Sequence, residues 1–225
     1  MFCQPMLHTM SPYSRYIRCA GYEIHVTEWG AADAPVVVAW HGLARTGRDM
    51  DELARHLAPR YRVICPDTLG RGLSQWSRNP VQEYRLAFYA QLAADLFDQL
   101  GIAQAHWVGT SMGGIITMLI AATARELLCG AVLNDIGPYI EPAGLVRIRG
   151  YVGGGGSHPT WVHAARALQE IEAGRMALAD MTGLQSGALT VGCERSSLVL
   201  GGRVGMPGLG SAGPDSGGAI FSALA

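Results

Sequence analysis

The chain has 225 residues, of which 49% are hydrophobic and 16% are charged, and its formal net charge is −1. That length and composition exclude a fibre or a disordered tail, because such a chain can bury a sizeable core. Lys and Arg number 17 against 18 Asp and Glu, so no strong field is available to attract nucleic acid or an anionic membrane. No run of about 18 apolar residues that could span a bilayer occurs, and we expect a soluble protein.

The cysteines indicate a reducing compartment. They are odd in number, lie far apart and include no Cys-x-x-Cys pair, which argues against a disulfide framework or a zinc site. The first 15 residues lack the uninterrupted apolar stretch of a secretory signal. We therefore expect a cytoplasmic protein with reduced thiols. The five are Cys3, Cys19, Cys65, Cys129 and Cys193.

Up to about residue 138, short apolar runs alternate with longer amphipathic stretches. This alternation predicts an α/β fold, a mostly parallel sheet flanked by helices. Residues 16–27 read as a hairpin that turns at Ala20-Gly21, and Gly101 is expected to end a helix. The elements predicted up to this glycine are strands at 16–19, 22–27, 35–40 and 62–65 and helices at 48–57 and 86–100.

A strand predicted at 105–108 runs into the sequence Gly-Thr-Ser-Met-Gly-Gly at 109–114. A long apolar helix is expected to follow and to end near Cys129-Gly130, before a strand at 131–135. Beyond these elements we predict a glycine linker at 153–156 and a helix at 161–173.

The last part of the chain has a different composition. Residues 183–225 contain eleven glycines and four charged residues, with no helical periodicity of any length. A packed core is difficult to build from such a segment. The abrupt change near Gly183 is what a shifted reading frame or an unrelated replacement tail would produce.

The pattern G-x-S-x-G between a strand and a helix places a serine on a tight turn, with its hydroxyl above the sheet. Here the serine is Ser111, and Gly109 and Gly113 are predicted to be required sterically. The N–H of Met112, at the start of the helix, can donate to a developing oxyanion. A second donor is expected from the N–H of Leu43, which follows the strand ending at Trp40.

Three turns together resemble the α/β-hydrolase fold family in its serine hydrolase branch. They are His41-Gly42, the D-x-x-G-x-G turn at 67–72 and the G-x-S-M-G-G turn at 109–114, and the resemblance covers about residues 16–138. It implies a hydrolase that acts on a small carboxylic ester, lactone or related acyl compound, without a metal or an organic cofactor. By the same resemblance Asp67 stabilises a turn, and His41 orients the oxyanion loop rather than acting as a base.

The resemblance also implies a division of the chain. Residues 1–138 would form the α/β-hydrolase core, 139–182 a partial helical lid, and 183–225 a glycine-rich tail of uncertain structure. The fold would be incomplete at its C-terminal end, truncated or altered after about residue 183. The strand at 131–135 would then be left as an exposed edge.

A serine hydrolase needs a base and an acid beside its nucleophile, and the family order is Ser, acid, His. The last histidines, His158 and His163, lie in the lid stretch, so the usual base is absent. Asp135, at the end of the strand after the nucleophile helix, is the candidate acid, or else a turn residue. The segment 188–197 resembles the later strand and acid loop, with Ser197 at the acid position.

Two other functions are compatible with parts of this pattern. A defective or non-catalytic member of the same fold could act as a binding protein. This alternative would be favoured if a serine-reactive probe failed to label the folded protein. A dinucleotide-binding protein is disfavoured, because the turn at 109–114 reads G-x-x-x-G-G rather than G-x-G-x-x-G. We therefore predict a serine hydrolase whose activity is impaired by the lack of a catalytic histidine.

Overall fold

The computed structural model describes residues 11–137, 139–140, 142–152, 158–167, 169–170, 188–194 and 197–201. The chain divides into two compact units, one that runs to Ile136 and includes the strands between 188 and 201, and one that begins at Gly137. The first unit contains the predicted nucleophile.

The first unit is built on a sheet in which eight strands of the described residues take part. The strands are β1 (Tyr13–Cys19), β2 (Tyr22–Trp29), β3 (Val36–Trp40), β4 (Arg62–Pro66), β5 (Ala105–Thr110), β6 (Leu128–Asn134), β7 (Ala188–Glu194) and β8 (Ser197–Gly201). Their order across the sheet is β1-β2-β4-β3-β5-β6-β7-β8.

The α/β fold is confirmed, and the sheet itself is mixed. Its centre is parallel, with β3 paired to both β4 and β5 and β5 paired to β6. The remaining pairings on both sides are antiparallel. On one side, β1 and β2 are antiparallel because they form the predicted hairpin, whose turn at Ala20-Gly21 has positive φ at both residues. The hairpin reverses the chain without a crossover helix, and β2 then pairs with β4.

The strand predicted at 131–135 is not an edge. It lies within β6, which pairs with β7 from Gly130 opposite Gly192 to Asn134 opposite Ala188. Thr190 and Val191 are β-branched residues that favour extended backbone, which explains how a glycine-rich segment supplies a strand. The expectation of an exposed edge was wrong for this reason.

Helices cover the sheet, and only some of their ends lie where the sequence predicted them. Gly101 ends the helix Leu86–Leu100 in the left-handed conformation with φ 64°, as predicted. The helix predicted at 48–57 begins as a 3-10 turn, Gly47–Met50, in which the Thr46 hydroxyl accepts from the Arg48 N–H. The α-helices are α1 (Asp51–Leu57), α2 (Pro80–Glu83), α3 (Leu86–Leu100), α4 (Met112–Thr123) and α5 (Pro142–Tyr151).

The helix after Ser111 is shorter than predicted. It ends at Thr123, because Ala124 has φ −149° and leaves the helical conformation. A 3-10 turn at Arg125–Leu127 follows, and Cys129 lies inside β6. The prediction failed because no Gly or Pro separates the apolar run of the helix from that of the strand, and periodicity cannot divide such a run.

A stack of three buried aromatic rings joins α3 to the centre of the sheet. Trp107 lies between Trp40 and Phe97, with ring centroids 5.6 Å away on each side and interplanar angles of 10° and 12°. The Trp40 indole N–H donates to the Thr68 hydroxyl at 2.8 Å. The stack therefore fixes the carboxyl end of β3, where the predicted oxyanion loop begins.

Three cysteines of the described residues are free thiols: Cys19, Cys65 and Cys129. Burial raises the pKa of Cys19 to about 12 and raises that of Cys65 as well, so both are inert thiols inside the core. Cys3 and the Cys193 side chain lie outside the described part of the chain. Among the described helices, none combines the length and the apolar character needed to cross a membrane.

The second unit contains α5 and a helical segment at 161–167. Both expose apolar side chains, including Val146 and Trp161, the latter 91% exposed. The helix predicted at 161–173 is thus present over the residues that the structure describes there. The predicted linker at 153–156 lies outside the described residues.

Candidate active site

Ser111 occupies a strained turn between β5 and α4. Its φ of 51° and ψ of −111° lie where a residue with a side chain is rarely found. The Ser111 N–H donates to the Asn134 carbonyl at 2.8 Å, and its own carbonyl accepts from the Ile115 N–H at 3.1 Å. The turn is therefore tied to β6 on one side and to α4 on the other, and Ser111 is half-buried.

The two glycines that flank the serine are sterically required. A Cβ at Gly109 would lie 2.4 Å from the Gly113 carbonyl oxygen, and one at Gly113 would lie 2.3 Å from the Trp40 carbonyl oxygen. Both obstacles are backbone atoms that cannot rotate away. The sharp turn thus depends on glycine at each position, as the sequence predicted, and it places the N-terminus of α4 against the end of β3.

The loop that begins at His41 lies beside the serine. A Cβ at the buried Gly42 would meet the Ser111 Cβ at 3.7 Å and the Thr110 carbonyl oxygen at 3.8 Å. The Arg45 N–H donates to the Gly42 carbonyl at 3.3 Å, which closes the turn around Leu43. The structure therefore brings the two predicted oxyanion segments, at Leu43 and Met112, to the same end of the sheet as Ser111.

His41 is a positioning residue. It is fully buried, its Nδ1–H donates to the Gly42 carbonyl at 2.7 Å, and its Nε2 accepts from the Thr68 N–H at 2.9 Å. Burial lowers its pKa, so the ring is neutral and both nitrogens are occupied. His41 orients the loop and has no lone pair left to act as a base.

Arg71 fixes the other side of the loop that was predicted to bind the oxyanion. Its Nε donates to the Leu43 carbonyl at 3.1 Å and its Nη1 to the Leu69 carbonyl at 2.9 Å. The guanidinium also lies over the rings of Tyr84 and Tyr89, 5.5 and 5.2 Å from their centroids. Because these four contacts hold a rigid cation in place, the peptide at Leu43 has little freedom to rotate.

Asp67 stabilises its turn, in agreement with the resemblance. Its Oδ1 accepts from the Gly47 N–H at 2.6 Å, and its Oδ2 accepts from the Leu73 N–H at 2.9 Å. The same Oδ2 lies 2.9 Å from His25 Nδ1. A Cβ at Gly72, where φ is 54°, would lie 2.2 Å from this oxygen, which explains the glycine of the motif.

Asp135 lies at the tip of the strand next to the serine. Thr110 pairs with Asn134 in the β5–β6 register, so Ser111 and Asp135 each follow directly after a paired position. Asp135 is exposed and has φ 55°. Within the described part of the chain, no hydrogen bond restrains its carboxylate.

Among the described histidines, none hydrogen-bonds to the Ser111 hydroxyl. His25 and His41 are held by the contacts given above, and His106 packs edge-on against Tyr61. The same described residues contain no cluster of His, Cys, Asp or Glu that could hold a metal ion. The other described histidines are His56, bonded to the Glu52 carbonyl, His163, bonded to the Thr160 hydroxyl, and the exposed His158.

Sequence reasoning missed Arg71 and Thr68, which hold the loop at His41 and Leu43. Both lie inside the D-x-x-G-x-G turn, at positions that the motif leaves open. The cation at Arg71, between two turn glycines, was the available signal, but its partners are backbone carbonyls that no sequence pattern marks.

Comparison with known proteins agrees with this geometry. A family model described as the alpha/beta hydrolase fold matches residues 35–148. A 3-hydroxybutyrate-oligomer hydrolase from Cupriavidus necator is 37% identical over 168 residues, covering 72% of this chain and 57% of the relative. Lipase LipV from Mycobacterium tuberculosis is 28% identical over 158 residues, covering 70% of this chain and 58% of that protein.

Among solved structures, an alpha/beta hydrolase from Novosphingobium aromaticivorans is similar with a TM-score of 0.65 and 43% identity. That similarity covers 72% of this chain and 57% of the other. The chain thus spans a little under three fifths of the length of these relatives. The family model and the strand-turn-helix geometry at Ser111 agree, and the chain belongs to the α/β-hydrolase fold family.

Proposed function

We propose that this chain carries the nucleophile and oxyanion hole of a serine hydrolase that acts on a carboxylic ester, lactone or related acyl compound. The observation that carries the proposal is the strained Ser111 turn, with the Gly42 loop beside it. Hydrolase relatives support the reaction class. The small-molecule acyl substrate, the cytoplasmic location and the absence of a cofactor belong to the same proposal.

In the proposed reaction, the Ser111 oxygen attacks the acyl carbonyl, and the N–H groups of Leu43 and Met112 bind the oxyanion. Met112 is the first residue of α4, so the positive end of that helix adds to the stabilisation. A preorganised donor of this kind contributes about 10²–10³ in rate. His41 and Arg71 serve by holding the Leu43 peptide in place.

The proposed activity is impaired, because no described imidazole accepts the Ser111 proton. Serine hydrolases that lack triad members still accelerate the reaction about 10³–10⁴-fold over its rate in water, through the oxyanion hole and substrate binding. Asp135 is the proposed acid, because its strand tip lies beside that of Ser111. An acid without a histidine between it and the serine cannot complete a proton relay.

We also propose a division of labour along the chain. Residues 1–138 would supply the core with the nucleophile, 139–182 a partial helical lid that selects the substrate, and 183–225 a glycine-rich tail. Because one relative is a 3-hydroxybutyrate-oligomer hydrolase, short hydroxyacid oligoesters are the first natural substrate class to test, beside simple aryl esters and lactones.

A second candidate function is that of a non-catalytic binding protein with the same fold. The specific observation in its favour is that the Ser111 hydroxyl has no hydrogen-bonding partner among the described residues. An unactivated serine can still bind an acyl compound through the oxyanion donors.

Labelling with a fluorophosphonate probe, mapped by mass spectrometry, separates the two candidates. The hydrolase proposal predicts slow labelling of Ser111 that accelerates when imidazole is added as an external base. Ser111→Ala is the matched control and should show no label at this peptide. If the folded protein is not labelled at Ser111 either with or without imidazole, the result would favour the binding protein. Rapid turnover of p-nitrophenyl acetate that Ser111→Ala abolishes would show that a base is present and that the activity is not impaired.

A further inference from the structure

Ser14, His25 and Asp67 form a hydrogen-bonded series that begins on β1, the edge strand of the sheet. The Ser14 Oγ lies 3.1 Å from His25 Nε2, and His25 Nδ1 lies 2.9 Å from Asp67 Oδ2. Ser14 is on β1, which is separated from β5 by β2, β4 and β3. At about 4.8 Å per strand this is roughly 19 Å from the Ser111 strand, so the two serines belong to different sites.

The tautomer of His25 follows from its neighbours. Asp67 Oδ2 also accepts from the Leu73 N–H, and Oδ1 accepts from the Gly47 N–H, so both carboxylate oxygens act as acceptors and Oδ2 accepts from His25 Nδ1–H as well. The other ring nitrogen, Nε2, then carries a lone pair. That lone pair faces the Ser14 hydroxyl, which donates to it.

The three side chains differ in exposure as a nucleophilic site requires: the base and the acid are buried, and the serine is exposed. The side chains of His25 and Asp67 are 2% and 3% exposed, while Ser14 is exposed on the sheet surface. The Tyr16 ring packs against the His25 ring with centroids 5.3 Å apart, which limits rotation of the imidazole. A nucleophile in reach of a base that a third group orients is the arrangement that activates serine.

We propose that Ser14 is an acyl-acceptor site for activated acyl donors, such as aryl esters, with His25 as its base and Asp67 as the residue that orients the base. The Ser14 oxygen attacks the acyl carbon and its proton passes to His25 Nε2. The bond to the leaving group then breaks, the leaving oxygen takes the proton from His25, and acyl-Ser14 remains. The proposal includes no oxyanion hole, so a donor with a poor leaving group does not react.

The test uses p-nitrophenyl acetate on the full chain, with acetylation mapped by fragment ions in the tryptic peptide that ends at Arg15. Ser11 is the internal control, because it is exposed and lies in the same peptide. General-base assistance contributes about 10²–10⁴ in rate, so Ser14 should be acetylated at least about 100-fold faster than Ser11. Equal rates at the two serines in the folded protein would overturn the proposal.

Two further arms identify the base and separate this site from Ser111. His25→Gln should lower acetylation of Ser14 to the Ser11 rate, and so should unfolding the unaltered protein in urea, which needs no folded variant. A Ser14 advantage that survives in urea would arise from local sequence and would refute the role of His25. Ser111→Ala should leave Ser14 acetylation unchanged, so failure of the hydrolase proposal and failure of this one are distinguishable.

Discussion

Replacing Ser111 by glycine should stabilise the protein. The residue has φ 51° and ψ −111°, a conformation that costs about 1–3 kcal/mol for a residue with a Cβ. Glycine adopts it freely but loses about 0.5–1 kcal/mol through the greater entropy of the unfolded chain. The difference between these ranges is about 0–2.5 kcal/mol, and at their midpoints the free energy of unfolding rises by about 1.2 kcal/mol, or roughly 2–5 °C in Tm for a chain of this size.

Ser111→Ala is the matched control, because it removes the same hydroxyl but keeps the Cβ and therefore the strain. The hydroxyl has no hydrogen bond within the described residues, so the alanine variant should melt close to the unaltered protein. Thermal unfolding followed by circular dichroism compares the three. A glycine variant that melts at or below the alanine variant would refute the claim that the backbone is strained at this turn.

Three further predictions concern the groups around the nucleophile. Gly113→Ala should lower the free energy of unfolding by about 1–3 kcal/mol, because its Cβ would lie 2.3 Å from the Trp40 carbonyl oxygen; an unchanged Tm would contradict this. Arg71→Met should slow fluorophosphonate labelling of Ser111 at least about tenfold, because Arg71 holds the Leu43 carbonyl and loss of an oxyanion donor lowers a rate by up to about 10²–10³. Labelling at the unaltered rate in a folded variant would refute that role. Burial lowers the pKa of His41 in the folded protein, whereas the unfolded chain protonates near its ordinary value of about 6.5, so stability should fall as the pH drops below that value. His41→Gln should flatten this part of a Tm profile recorded from pH 8 to pH 5, and parallel profiles would be contrary evidence.

The central part of the fold could be predicted because its signals are local and agree with one another. The hairpin turn at Ala20-Gly21, the helix end at Gly101 and the glycines around Ser111 each combine a backbone requirement with a flanking apolar pattern. The turn at Ser111 is the strongest case, because the clashes at Gly109 and Gly113 involve backbone atoms. Side-chain substitutions elsewhere cannot relieve such clashes, so the sequence must keep glycine there.

Other features depend on distant partners and were not predictable. The end of α4 at Thr123 and the pairing of β6 with β7 are decided by tertiary contacts that periodicity does not encode. The contacts of His25 with Asp67 and Ser14 join three separate segments of the chain. Arg71 acts on backbone carbonyls, and such acceptors exist at every position of a chain.

The most direct test of the nucleophile site is a high-resolution crystal structure of the protein with an alkylboronic acid. The account predicts a tetrahedral boronate on the Ser111 oxygen, with one boronate oxygen about 2.7–3.1 Å from the backbone nitrogens of both Leu43 and Met112. An adduct whose oxygens all point away from these two nitrogens, or the absence of any adduct at a saturating concentration, would contradict it.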